Sequence, residues 1–128
     1  MAELHIPRTL PEGASVIPLV RNAIAVASSK GGVGKSTVCI NTALSMARMG
    51  ASVGLLDADI YGPSALLMTG IQQQPEITSD NRLLPVEAHG MSMMSMEFIA
   101  DENTPVVWRG PLLAQAVQQF LAQVEWGE

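Results

Sequence analysis

The chain has 128 residues, 48% of them hydrophobic, a formal net charge of −5 and one cysteine. That is the size of one ordinary domain or part of a larger one, with enough apolar residues to build a core. The acidic balance argues against broad nucleic-acid binding, and a lone Cys39 excludes an intrachain disulfide or a Cys-rich metal site. No apolar stretch approaches the roughly 18 residues of a membrane span, so no membrane partner is expected.

The N-terminal segment has no basic region followed by an apolar one, so no secretory signal is expected. A reducing, cytoplasmic setting fits the single cysteine. Charge is unevenly placed: residues 1–50 carry five basic and two acidic groups, net +3, and residues 51–128 carry two basic and ten acidic groups, net −8. Lys30 and Lys35 are the only lysines, and both fall in one glycine-rich loop.

Residues 1–21 hold three prolines and little periodicity, and read as an extended arm leading into a domain over 22–128. The apolar run Ala23-Ile24-Ala25-Val26-Ala27 predicts a strand buried on both faces. The glycine-rich loop follows directly. Beyond it, Ile40, Ala43, Leu44 and Ala47 recur at helical spacing over 36–49, and Gly50 suits the helix C-terminus. Val53-Gly54-Leu55-Leu56 predicts a second buried strand, ending at Asp57-Ala58-Asp59. Strand, helix and strand in this order predict a right-handed βαβ unit with parallel strands. The loop and the acidic pair then meet at the carboxyl edge of the sheet, where open α/β sheets bind ligands.

Further along, residues 65–68 predict a short helix, 72–82 a polar loop, and 83–86 and 93–99 strands. Residues 101–104 read as a turn and 105–108 as one more short strand. Gly110-Pro111 opens a helix with proline well placed at its first position, and Leu113, Ala116, Val117, Phe120, Leu121 and Val124 form its apolar stripe.

The chemistry lies in Ser29-Lys30-Gly31-Gly32-Val33-Gly34-Lys35-Ser36-Thr37. A triphosphate presents several anionic oxygens close together, and inward-pointing backbone N–H groups can surround them at short range. Glycines allow the required backbone angles and remove side chains that would block approach. The following helix adds the positive end of its dipole. Lys35 then reaches the β- and γ-phosphates, and the Ser36 hydroxyl can coordinate Mg²⁺, so the loop predicts ATP with Mg²⁺ as ligand. Asp57 and Asp59, at the end of the neighbouring strand, can orient water bound to Mg²⁺ or the attacking water. Cys39 reads as a packed side chain, and Met91, Met93, Met94 and Met96 as strand and core, since no Cys or His accompanies them. Arg109 is equally suited to a phosphate, a partner subunit or a structural ion pair.

The first glycine of the G-x-x-x-x-G-K-[ST] pattern is replaced here by Ser29. The loop instead resembles the deviant Walker A of the MinD/ParA/nitrogenase-iron-protein class. That resemblance implies a homodimer in which Lys30 crosses to the partner's phosphates. It implies Asp59 as the residue positioning the nucleophile and Asp57 as an outer partner of Mg²⁺. The run Gly54-Leu55-Leu56-Asp57-Ala58-Asp59-Ile60-Tyr61-Gly62-Pro63-Ser64, with Thr104-Pro105-Val106-Val107-Trp108-Arg109-Gly110-Pro111, is similar to the Mrp/ApbC iron–sulfur cluster carrier ATPases. The resemblance spans residues 22–127. It implies a P-loop NTPase (Rossmann-like) fold, a mostly parallel sheet with flanking helices, ATP hydrolysis, and apo iron–sulfur proteins as clients.

Members of that family run to more than twice this length. They continue with a Walker B strand and a C-x-x-C pair that holds a cluster, expected to be of the 4Fe–4S type, between two subunits. Neither is present in these residues, so the sequence reads as the N-terminal half of such a carrier, marginal in stability on its own. A MinD/ParA-type partition or positioning ATPase is the alternative, as is a non-catalytic nucleotide-binding fragment. The 59–64 run favours the carrier.

Overall fold

A computed structural model of the chain describes residues 17–98 and 110–127. The glycine loop leads into α1, Lys35–Arg48, which buries Ile40 and Ala43 on the predicted stripe. Its end is a Schellman motif: the amides of Gly50 and Ala51 donate to the carbonyls of Ala47 and Met46. Gly50 takes the left-handed φ of 92° that this closure requires. Strand β1, Gly54–Asp57, follows, then the five-residue helix α2, Ala65–Thr69.

Two short strands, β2 (Glu76–Ile77) and β3 (Leu83–Leu84), pair antiparallel. The stretch 72–82 is therefore not wholly a loop. Only two residues on each side make the ladder, too few for a periodic sequence signal. Strand β4 (Val86–Ala88) turns into β5 (Met91–Ser95) through His89-Gly90, both at positive φ, as a two-residue hairpin demands. The His89 Nε2 lies 2.7 Å from the Thr69 carbonyl and ties this hairpin tip to the end of α2. A 3₁₀ turn, Met96–Phe98, ends β5, so the predicted strand over 93–99 begins and stops earlier than expected. Helix α3, Gly110–Gln123, follows the predicted stripe and buries Ala116 and Phe120. The turn over 101–104, the strand over 105–108, and Arg109 lie outside the described residues.

The main sheet has the order β1-β5-β4, with β1 parallel to β5 and β4 antiparallel to it. Helices cover both faces. On one, Ile40 and Ala43 of α1 cluster with Leu55, Ala65, Met91 and Met93. On the other, Ala116, Phe120 and Val124 cluster with Leu83, Met94 and Met96. Alternation along β5 thus sends methionines to both layers, and all four are 1% exposed. The methionine run is core, as its sequence context predicts. After α3 the chain docks on β3: the Glu125 amide donates to the Leu83 carbonyl at 2.9 Å.

One expectation is overturned. Residues 23–27, read as the first strand, make no ladder and are exposed throughout, Ile24 by 73%. A strand exists only through a neighbour, and β1 pairs with β5 along one edge. Beyond β1, a cleft of about 360 Å³ opens between Val26, Ala27 and Ser28 on one side and residues 55–58 on the other. The βαβ unit is not closed among the described residues. The parallel pairing of β1 is made with β5 instead. The α/β class holds, with a mixed sheet.

Candidate functional site: a glycine cradle at the start of α1

Residues 28–34 form an exposed, irregular loop that ends in Gly34, the N-cap of α1. Gly32 and Gly34 have φ of 73° and 92°, a region that side-chain-bearing residues rarely enter. A Cβ added at Gly31, Gly32 or Gly34 would meet nothing within 4 Å, so space for a ligand lies on the loop's surface. No side chain caps α1. The first intrahelical bond runs from the Val38 amide to the Gly34 carbonyl, so the amides at the start of α1 have no intrahelical acceptor. A helix start in this state has several N–H groups and a dipole available to an anion.

The loop forms one wall of a cleft of about 660 Å³. Ser29, Lys30, Gly31, Gly32, Gly34, Lys35, Ser36 and Thr37 line it from one side, and Asp59, Gly62, Ser64 and Met68 from the other. Val33, at the loop tip, is 60% exposed and does not line it. Gly62, Ser64 and Met68 were not among the residues expected from sequence. Gly62 and Ser64 lie in the loop that follows Asp59, and Met68 lies on α2 just beyond it.

Lys35 and Asp59 meet at the mouth of the cradle, Nζ to Oδ2 at 3.2 Å. Asp59 also accepts the Gly62 amide through Oδ1 at 3.0 Å. The Gly62 amide is the largest influence, burial opposes it, and the Lys35 ammonium and the Tyr61 backbone add to it, so the Asp59 carboxyl is held below the usual carboxylate range. Asp57 does something different. Its Oδ1 accepts the Asp59 amide at 3.1 Å, and its Oδ2 accepts the Ser64 and Ala65 amides at 3.0 and 2.9 Å. Lys30 is exposed at the rim. Cys39 packs partly buried against the first core cluster, and burial, with Asp57 nearby, pushes its thiol pKa up. A raised thiol pKa disfavours the thiolate that would make it a ligand.

A glycine loop leading into a helix at the edge of an α/β sheet, with a lysine and a carboxylate meeting beside it, is the arrangement of a P-loop NTPase. The family model described as NUBPL iron-transfer P-loop NTPase matches residues 19–128, and the chain belongs to that family. Among curated relatives, the iron–sulfur cluster carrier protein of Bacillus subtilis is 57% identical over 105 residues, 82% of this chain and 30% of that protein. The carrier protein of Pseudomonas fragi is 53% identical over 111 residues, 85% of this chain and 39% of its own length. The mouse iron–sulfur cluster transfer protein NUBPL is 46% identical, covering 85% and 35%. A solved structure of the nucleotide-binding protein of Archaeoglobus fulgidus in complex with ADP superposes with a TM-score of 0.66 at 37% identity, over 80% of this chain and 39% of that one. The chain spans only 30 to 39% of these proteins. The resemblance to the iron–sulfur cluster carriers, and to part of one, is borne out.

Proposed function

We propose that this chain binds ATP with Mg²⁺ in the 29–37 loop and forms the nucleotide-binding part of an ATP-hydrolysing iron–sulfur cluster carrier. The observation that carries the reading is the uncapped start of α1, which lines an open cleft together with Lys35. Backbone N–H groups of Gly31, Gly32, Val33, Gly34, Lys35, Ser36 and Thr37 take the phosphate oxygens. Lys35 leaves Asp59 for the β- and γ-phosphates, since a polyanion outcompetes a single carboxylate for one ammonium. Ser29 and Lys30 complete the rim, and Lys30 reaches the phosphates of a second copy in a homodimer.

The oxygen donors of Ser36 and Asp59 suit a hard cation, which favours Mg²⁺ over softer metals, and Asp57 stands behind them, engaged by backbone amides. When bound, Mg²⁺ neutralises charge on the phosphates. Asp59, freed from Lys35, would hold the attacking water. The cluster is cargo. Its ligands are thiolates, and Cys39 alone cannot supply them, so the cluster-holding residues lie outside these 128. Apo iron–sulfur proteins are the clients and the cytoplasm the setting. Among the described residues no helix is long and apolar enough to cross a membrane.

Calorimetric titration of ATP, ADP and adenosine, each with Mg²⁺, tests the cradle. Saturable binding of ATP and ADP, with none for adenosine, is expected. Equal binding of adenosine would move the ligand away from the loop and overturn the reading.

A further inference from the structure

We infer that Asp57 is a positioning residue: its carboxylate clamps the 59–65 loop so that Asp59 is held opposite Lys35. The inference rests on the nucleotide-binding reading above and assigns Asp57 a task within it other than partnering the metal.

The geometry is specific. Asp57 is the last residue of β1, fixed by pairing with Ser95 of β5. From this rigid end its two oxygens reach both ends of the loop. Oδ1 takes the Asp59 amide two residues on, and Oδ2 takes the amides of Ser64 and Ala65 seven and eight residues on. The latter two are the N-cap and first residue of α2, whose own N-cap side chain makes no capping bond. Asp57 therefore caps α2 from a distance and closes the intervening residues into a ring. Within that ring, Asp59 bonds the Gly62 amide with Oδ1, which leaves Oδ2 turned to Lys35.

Three of about four acceptor positions on Asp57 are filled by backbone. Asparagine in its place must turn an NH₂ toward one of the two sets of donors, so one end of the ring opens. Asp59 then loses its fixed direction, although no atom that touches nucleotide has changed.

The test compares the 128-residue chain with Asp57→Asn, Asp59→Asn and the double variant. Two quantities are read: amide exchange at Asp59, Gly62, Ser64 and Ala65, and the factor by which Mg²⁺ strengthens ADP binding. Asp57→Asn is expected to deprotect at least one end of the loop and to cut the Mg²⁺ factor about tenfold, the loss of one charge-assisted contact. Asp59→Asn is expected to cut it as much, and the double variant no further, because Asp57 acts through Asp59. Losses that multiply in the double variant would overturn the proposal. So would unchanged protection in Asp57→Asn. If that variant loses its far-UV circular dichroism, Asp57→Glu carries the same comparison, with both acceptors kept and displaced by a methylene. Should the unsubstituted chain bind no ADP, the nucleotide reading fails, while the exchange measurement still decides the clamp.

Discussion

Replacing Lys35 with alanine separates two uses of one ammonium. In the free protein, Nζ is 3.2 Å from Asp59 Oδ2, and the two side chains are 31% and 33% exposed. Coulomb's law at that distance gives about 1.3 kcal/mol in water and about 5 kcal/mol at an effective dielectric of ~20. Partial exposure, salt and the entropy of ordering two side chains reduce the net value to about 0.5 kcal/mol. Lys35→Ala should therefore shift a urea midpoint only slightly. Against a triphosphate the same ammonium meets several charged oxygens in a lined cleft, worth about 2–3 kcal/mol or roughly 30- to 150-fold in affinity. Asp59 competes with the phosphates in the free state, so Asp59→Asn should bind ADP a few-fold more tightly when Mg²⁺ is absent. The assay is calorimetry with and without Mg²⁺, beside a urea melt. Equal ATP affinity in the parent chain and Lys35→Ala would refute the cradle. A large loss of stability with unchanged affinity would show that the lysine is structural.

Three further outcomes follow from the same geometry. Asp59 has its folded pKa lowered, so its contribution to stability is present above the ordinary carboxylate range and is lost as pH falls through the lower folded value; the gap in melting temperature between the parent chain and Asp59→Asn should close over that acidic window and stay constant at neutral pH. Gly54→Ala puts a Cβ 2.7 Å from Cε3 of Trp126, and overpacking against an indole on the sheet costs about 1–3 kcal/mol, read as a lower melting temperature with altered near-ultraviolet dichroism. Gly34→Ala meets no neighbour but must hold a φ of 92°, at about 1–2 kcal/mol, so the chain should fold and bind ADP about tenfold more weakly.

Much of this site was legible in the sequence because its signals are local. The stripe Ile40, Ala43, Leu44 and Ala47 and the stripe through Ala116, Phe120 and Val124 repeat at the helical period, and both helices pack on those faces. The two left-handed glycines of the loop are glycines because no other residue accepts those angles cheaply. The strand at Gly54–Asp57 ends on its acidic pair as expected. What failed depends on distant partners. Residues 23–27 have a strand's composition, but a ladder needs a neighbour that these residues do not supply. The pairing of Glu76 with Leu84 joins residues with no periodic signature. The reach of Asp57 to Ser64 and Ala65 crosses a loop whose shape no spacing rule encodes.

The methionines at the centre of the sheet carry a consequence of their own. Met91, Met93 and Met94 stand on β5 and Met96 opens the 3₁₀ turn that ends it, all sealed from solvent. Thioether sulfur reacts with peroxide only when oxidant can touch it, so each sulfoxide formed there would record a moment when the sheet had parted. Peptide-level sulfoxide mapping after a timed peroxide pulse would turn these four side chains into a clock for breathing of the core on either side of the sheet. A nucleotide that tightens the cradle would slow that clock.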